Sequence, residues 1–87
     1  MTTVEQYVAY GKIKLRELET ELLFEFSQVK ANLKQLEEGN ENSELGIHCL
    51  RFRRMSLELG YYDVDTSKLD REYKSLLPQI NKYIKAS

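Results

Sequence analysis

His48 and Cys49 are the chain's single histidine and single cysteine, and they are its most reactive side chains. As sequence neighbours on a helix they diverge by about 100°, so they cannot pair with each other as nucleophile and base. The spaced acidic neighbour of His48 is Glu44, four residues earlier, which is half of a two-ligand metal site at best. A histidine satisfied by a neighbour or facing solvent explains this pattern more simply. Cys49, followed by Leu50 and Phe52, reads as a small buried hydrophobe, and a lone cysteine gives no intrachain disulfide and no cysteine-based metal site. Asp63-Val64-Asp65 lacks the glycine and the closing glutamate of a calcium loop, so turn chemistry accounts for it. Glu17, Glu21 and Glu25 line one helical face at four-residue spacing and read as a solvated face. There is no glycine-rich phosphate loop and no nucleophile elbow. The sequence therefore assigns no catalytic residue, no metal ligand and no cofactor, and a non-enzymatic protein is expected.

Arg51, Arg53 and Arg54 are the one dense basic cluster, in a stretch (residues 45–59) whose only acid is Glu58. On a helix Arg51 and Arg54 share a face while Arg53 points elsewhere. Such a patch suits an acidic partner or a phosphate. It equally suits the acidic residues Glu17, Glu19, Glu21 and Glu25 across a helical hairpin, which is the expectation here. Tyr61 and Tyr62 nearby are able to stack on bases, but no nucleic-acid motif accompanies them.

The elements that must hold these residues are helical. Val4, Val8, Gly11, Leu15, Leu18, Leu22, Phe26, Val29, Leu33 and Leu36 recur at intervals of three and four, without a proline, which predicts one helix over residues 3–38 with a coiled-coil-like seam. At 1.5 Å per residue it spans roughly 50 Å, too long for a small globule to surround. Thr2 or Thr3 is placed to cap it, and Gly39 to end it. A second apolar strip of Tyr7, Tyr10 and Ile13, with Leu23 and Phe24 further along, lies on the same helix, and Tyr10 and Ile13 are rotated well away from the ladder, where a single covering helix would leave them exposed. Tyrosine beside aliphatic residues suits an association surface, because the ring buries area while the hydroxyl stays wet. The expected protein interface is thus Tyr7, Tyr10, Ile13 and Phe24.

Residues 44–59 alternate weakly enough to resemble a strand, yet Leu, Arg, Met and Glu favour a helix. Its inner stripe would be Leu45, Cys49, Phe52, Ser56 and Leu59, flanked by His48 and Met55, with Ser43 as N-cap and Gly60 just past the end. Leu69, Tyr73, Leu76, Ile80 and Ile84 predict a third helix over residues 67–85, capped by Thr66 or by a Ser67–Asp70 box and kinked or broken at Pro78. Short connections leave two arrangements open. In one, a compact antiparallel three-helix bundle lets the start of helix 1 protrude; in the other, helices 2 and 3 lie end to end along helix 1 as a long hairpin.

With 87 residues, 31% charged and 41% hydrophobic, and a formal net charge of −1, the chain reads as one all-α domain with no bulk attraction to nucleic acid or anionic lipid. No apolar run approaches the length of a membrane span, and the first residues lack a basic and then apolar leader, so a cytoplasmic location is expected. The functional expectation is a non-enzymatic protein-protein interaction module, adaptor, regulator or assembly subunit, acting through helix 1 as a homodimer or with another protein. The alternatives are a small nucleic-acid-associated regulator using Arg51, Arg53 and Arg54, and a small helical inhibitor protein.

Overall fold

The computed structural model of the chain describes residues 4–40 and 44–84, with side chains from residue 11 onward. It is all helical: α1 is Val4–Glu37, α2 is Leu45–Tyr61 and α3 is Ser67–Ile80, with no strand among the described residues. The expected caps Thr2, Thr3 and Ser43 lie outside the described residues, as does Lys85.

Three cross-helix pairings fix the topology. Asn32 on α1 meets Glu44 at the start of α2, and Phe26 meets Phe52, so α2 runs back antiparallel to α1. Ser56 meets Asp70, Phe52 stacks on Tyr73, and Gly46 faces Ile84, so residues 67–84 run back antiparallel to α2. This is the up-down-up bundle, and the end-to-end arrangement is excluded. The molecule is 56 Å long and 21 × 16 Å across, because α1 runs on past the bundle.

The ladder residues Leu22, Phe26, Val29 and Leu33 are buried, as are Leu45, Cys49, Phe52 and Leu59 of α2 and Tyr73 and Ile80 of α3. Leu15, Leu18 and Leu36 pack against them from the ends. At the centre, Phe26, Phe52 and Tyr73 form an aromatic column through all three helices, with ring centroids 5.5 and 4.8 Å apart.

The ends of the helices differ from expectation in instructive ways. α1 closes as foreseen: Gly39 takes φ +95°, while the Gly39 amide donates to Leu36 and the Asn40 amide to Gln35. This is the Schellman pattern, which wants a residue without a Cβ in the left-handed region. α2 does not stop at Gly60 but continues to Tyr61, and Asp63 at φ +60° takes the left-handed position. The Val64 amide then reaches the Leu59 carbonyl at 3.1 Å and puts Val64 against the core. Aspartate tolerates this conformation better than most residues, and the contact of Val64 with the core supports it. Glu44, one residue after the expected Ser43, holds the N-cap position of α2 without a side-chain cap bond. Asn32 supplies the polar contact instead, accepting the Glu44 amide at 3.0 Å while donating to Gln28 at 2.7 Å.

α3 begins after Thr66, and the expected Ser67–Asp70 box is replaced by a different arrangement. The Thr66 and Ser56 hydroxyls donate to the two oxygens of Asp70 at 2.8 and 2.7 Å, tying α2 to α3. The Ser67 amide donates to Asp65 at 2.9 Å. The Ser67 hydroxyl and amide hold the fully exposed Asp65 carboxyl below its ordinary value. This support for the start of α3 is present above the ordinary carboxylate range, near pH 4, and fades as pH falls through the lowered value. The helix passes through Pro78 and ends two residues later at Ile80, rather than continuing to Lys85. Because Asp70 is the shared acceptor for two part-buried hydroxyls, Asp70→Ala is expected to lower stability by about 2 kcal/mol, read as a shift in the urea midpoint. An unshifted midpoint would show that the network is dispensable.

Candidate functional site

The surface of α1 that faces away from α2 and α3 carries large apolar side chains. Ile13 is 57% and Phe24 56% exposed. They are eleven residues apart, about three helical turns, so they lie on one side of α1 and opposite the ladder. Leu23, also 57% exposed, is turned to the flank. Ile13 borders a shallow depression with Arg16, Glu17, Thr20 and Glu21, so its setting is mixed apolar and charged. Tyr7 and Tyr10 belong to the same helix, and their side chains lie outside the described residues.

The three arginines do not converge. Arg51 turns toward α1, with its guanidinium 3.8 Å from Glu25 Oε1. Arg53 borders a groove of about 270 Å³ between α2 and α3, with Ser56, Asp70, Tyr73 and Lys74. Arg54 is exposed. The hairpin pairing expected for this cluster is therefore present for Arg51.

Glu25 is not the solvated residue that its spacing with Glu17 and Glu21 suggested. It is 5% exposed, and its Oε2 accepts from His48 Nδ1 at 2.5 Å; His48 itself is 6% exposed. The other ring nitrogen, Nε2, lies 3.6 Å from the exposed carboxylate of Glu44. Its position in the ladder could have revealed this: Glu25 follows Leu18 by seven residues and Leu22 by three, which is a seam position. Asn32, also buried, was likewise missed; it lies one residue before Leu33 at the edge of the ladder.

Cys49 is 3% exposed, as expected, and faces α3. Burial pushes its thiol pKa up, with the nearby Tyr73 hydroxyl and Arg53 opposing in part. Burial also raises the Tyr73 phenol, and the Cys49 thiol adds to the effect. The Tyr73 hydroxyl is fully enclosed without a hydrogen bond of normal geometry among the described residues. A thiol held in its neutral form, beside a phenol held in its neutral form, is a poor nucleophile. His48 is committed to Glu25 and does not serve Cys49 as a base. Among the described residues no three His, Cys, Asp or Glu side chains are grouped to hold a metal ion, and no helix is long and apolar enough to cross a membrane. Asp63 and Asp65 are engaged in the turn that starts α3.

Compared with protein-family models, with curated proteins and with solved structures, the chain matches none.

Proposed function

We propose that the chain is a non-enzymatic interaction module of the cytoplasm, an adaptor, regulator or assembly subunit that contacts a protein partner through α1. The observation that carries this reading is the pair Ile13 and Phe24, both more than half exposed on the side of α1 that faces away from α2 and α3. Exposed aliphatic and aromatic residues aligned over three turns offer a partner an apolar strip, with Arg16, Glu17 and Glu21 beside it to set orientation. Tyr10 would lie at the edge of that strip, whereas Tyr7, six residues before Ile13 and so about 120° round the helix from it, would flank the ladder face instead. A small inhibitor would use the same strip against a partner's active site. The nucleic-acid alternative draws less support, because Arg51 is turned toward Glu25 and the three arginines face different surroundings.

Site-specific photo-crosslinking in cells tests the proposal, with the reactive side chain placed at Ile13, at Phe24 or, as a control, at Leu57 of α2, which is 70% exposed. Adducts of one discrete mass are expected from Ile13 and Phe24 and not from Leu57. They should disappear from the Phe24 probe when Ile13→Glu is added, while the helical circular dichroism signal stays unchanged. Equal labelling from Leu57, or no adduct from α1, would remove the reading.

A further inference from the structure

The outer face of α2 carries a row of apolar side chains that the bundle does not use. Ile47, Leu50, Leu57 and Tyr61 are each half or more exposed, and they are all of the exposed large apolar residues of that helix. With Arg54, also exposed, they recur at intervals of three, four, three and four, which is the spacing of a heptad seam. Leu50 is two residues from the buried Phe52 and Leu57 two from the buried Leu59, so the row is turned about 160° from the inner stripe. Side chains this exposed add little to the core of their own chain. A single exposed leucine is ordinary, but an aligned row from Ile47 to Tyr61 covers about 21 Å of helix and marks a surface for association.

We propose that this row docks an acidic amphipathic helix of another protein. Charge selects the occupant. Arg54 is the midpoint of the row, two heptad steps from Ile47 and two from Tyr61, so a helix laid on the flanking leucines desolvates its guanidinium and must bring a carboxylate to it. Arg51 and Arg53 flank the row on opposite sides, and Glu58 is the one acid of α2. Arg51 already stands 3.8 Å from Glu25 of α1. On the other flank, Arg53 and Lys74 line the groove of about 270 Å³ between α2 and α3 together with Leu57 and Leu77. Asp70, the one acid of that groove, already accepts from Ser56 and Thr66, so a partner carboxylate entering it meets two cations beside apolar walls. A second copy of this chain does not meet these conditions. Two such rows laid parallel and in register set Arg54 against Arg54, and the antiparallel overlap that matches all four apolar residues does the same, because Arg54 is central. A nucleic-acid backbone would give the arginines their phosphates but would lay Ile47, Leu50 and Leu57 against charge. The surface is separate from the Ile13 and Phe24 strip of α1 and does not depend on it. A photo-crosslink from Leu57 of a mass absent from the α1 probes therefore belongs to the partner of α2, whereas one of the same mass counts against the α1 strip.

Titration calorimetry of the full chain with defined helical peptides tests the docking. The first peptide has about 21 residues in three heptads, with leucine at a and d, glutamate at e, at g and at the central a position, and a hydrocarbon staple on its outer face. The second has lysine in place of every glutamate, and the third has lysine at the central a position alone. Wild type is expected to bind the first with a dissociation constant on the order of 10 μM, and the second and third at least about tenfold more weakly. Arg54→Glu should reverse the preference between the first and the third. Leu50→Ser/Leu57→Ser should abolish binding while the urea midpoint stays that of wild type, and Ile13→Glu/Phe24→Glu should leave binding intact. No binding of the first peptide, equal affinity for the first and second, or an Arg54→Glu variant that keeps the wild-type preference overturns the proposal. So does a lowered midpoint in Leu50→Ser/Leu57→Ser, which would give those leucines a part in the fold, and so does loss of binding in Ile13→Glu/Phe24→Glu, which would place the peptide on α1. Duplex DNA of about 20 base pairs is the competing probe, and tighter binding of it than of the first peptide would show that the face reads phosphates instead.

Discussion

Leu22→Asp is expected to leave the chain largely unfolded at room temperature, lowering stability by about 4 kcal/mol or more. Leu22 is 2% exposed and sits in the core cluster with Phe26, Val29, Phe52 and Leu59. The substitution removes the burial of a leucine, worth about 2 kcal/mol, and adds a carboxylate to surroundings made of apolar side chains. A domain of this size has only about 5–10 kcal/mol to lose. Leu18→Asp acts on the same ladder but at the end of the bundle, where the side chain is half-buried and the carboxylate keeps partial access to water, so a smaller loss is expected. Urea denaturation followed by circular dichroism measures both. A Leu22→Asp midpoint within error of wild type would show that the α1 ladder is not the centre of the core.

That ladder was legible because three- and four-residue spacing is a direct consequence of helix geometry, and so were the inner stripes of α2 and α3. Leu45, Cys49, Phe52 and Leu59 were expected to face inward, and all are buried, as are Tyr73 and Ile80. Periodicity identifies a face without saying which neighbour covers it, so the choice between bundle and end-to-end helices waited on pairs such as Ser56 with Asp70. The helix ends were harder, because several residues near each end have comparable capping chemistry. Gly60 is the better residue for a left-handed position in isolation, yet Asp63 takes it, since that placement brings Val64 onto the core. In the same way Thr66 rather than Ser67 serves Asp70, because Ser56 of α2 completes the arrangement. Of the expected interface, the exposure of Ile13 and Phe24 follows from their rotation off the ladder. Glu25 shows the opposite error: residue type argued for solvent while heptad position argued for the seam, and the partner that reconciles them, His48, is 23 residues away.

Breaking that pair from one side only is expected to cost much more than replacing both members. Glu25→Leu leaves His48 Nδ1 enclosed without its acceptor and frees Arg51 to solvent, so a loss of about 2 kcal/mol is expected. His48→Leu strands a buried carboxylate whose remaining partner is the exposed Arg51 guanidinium at 3.8 Å, and about 3 kcal/mol is expected. In Glu25→Leu/His48→Leu no polar group is left to satisfy at that point between α1 and α2. Apolar side chains of similar bulk then pack in place of a hydrogen-bonded polar pair whose attraction had to offset the desolvation of both members. The double variant should therefore lie within about 1 kcal/mol of wild type, giving a favourable coupling of several kcal/mol in a double-mutant cycle. Additive losses would mean instead that each side chain contributes through its own packing, and that the hydrogen bond between Glu25 and His48 does not hold the α1–α2 hairpin in register. The same cycle gauges specificity, because the apolar pair no longer penalises a slip of α2 along α1. If the buried pair sets register, the double variant should keep its midpoint but show a less cooperative transition and a broader set of amide signals than wild type.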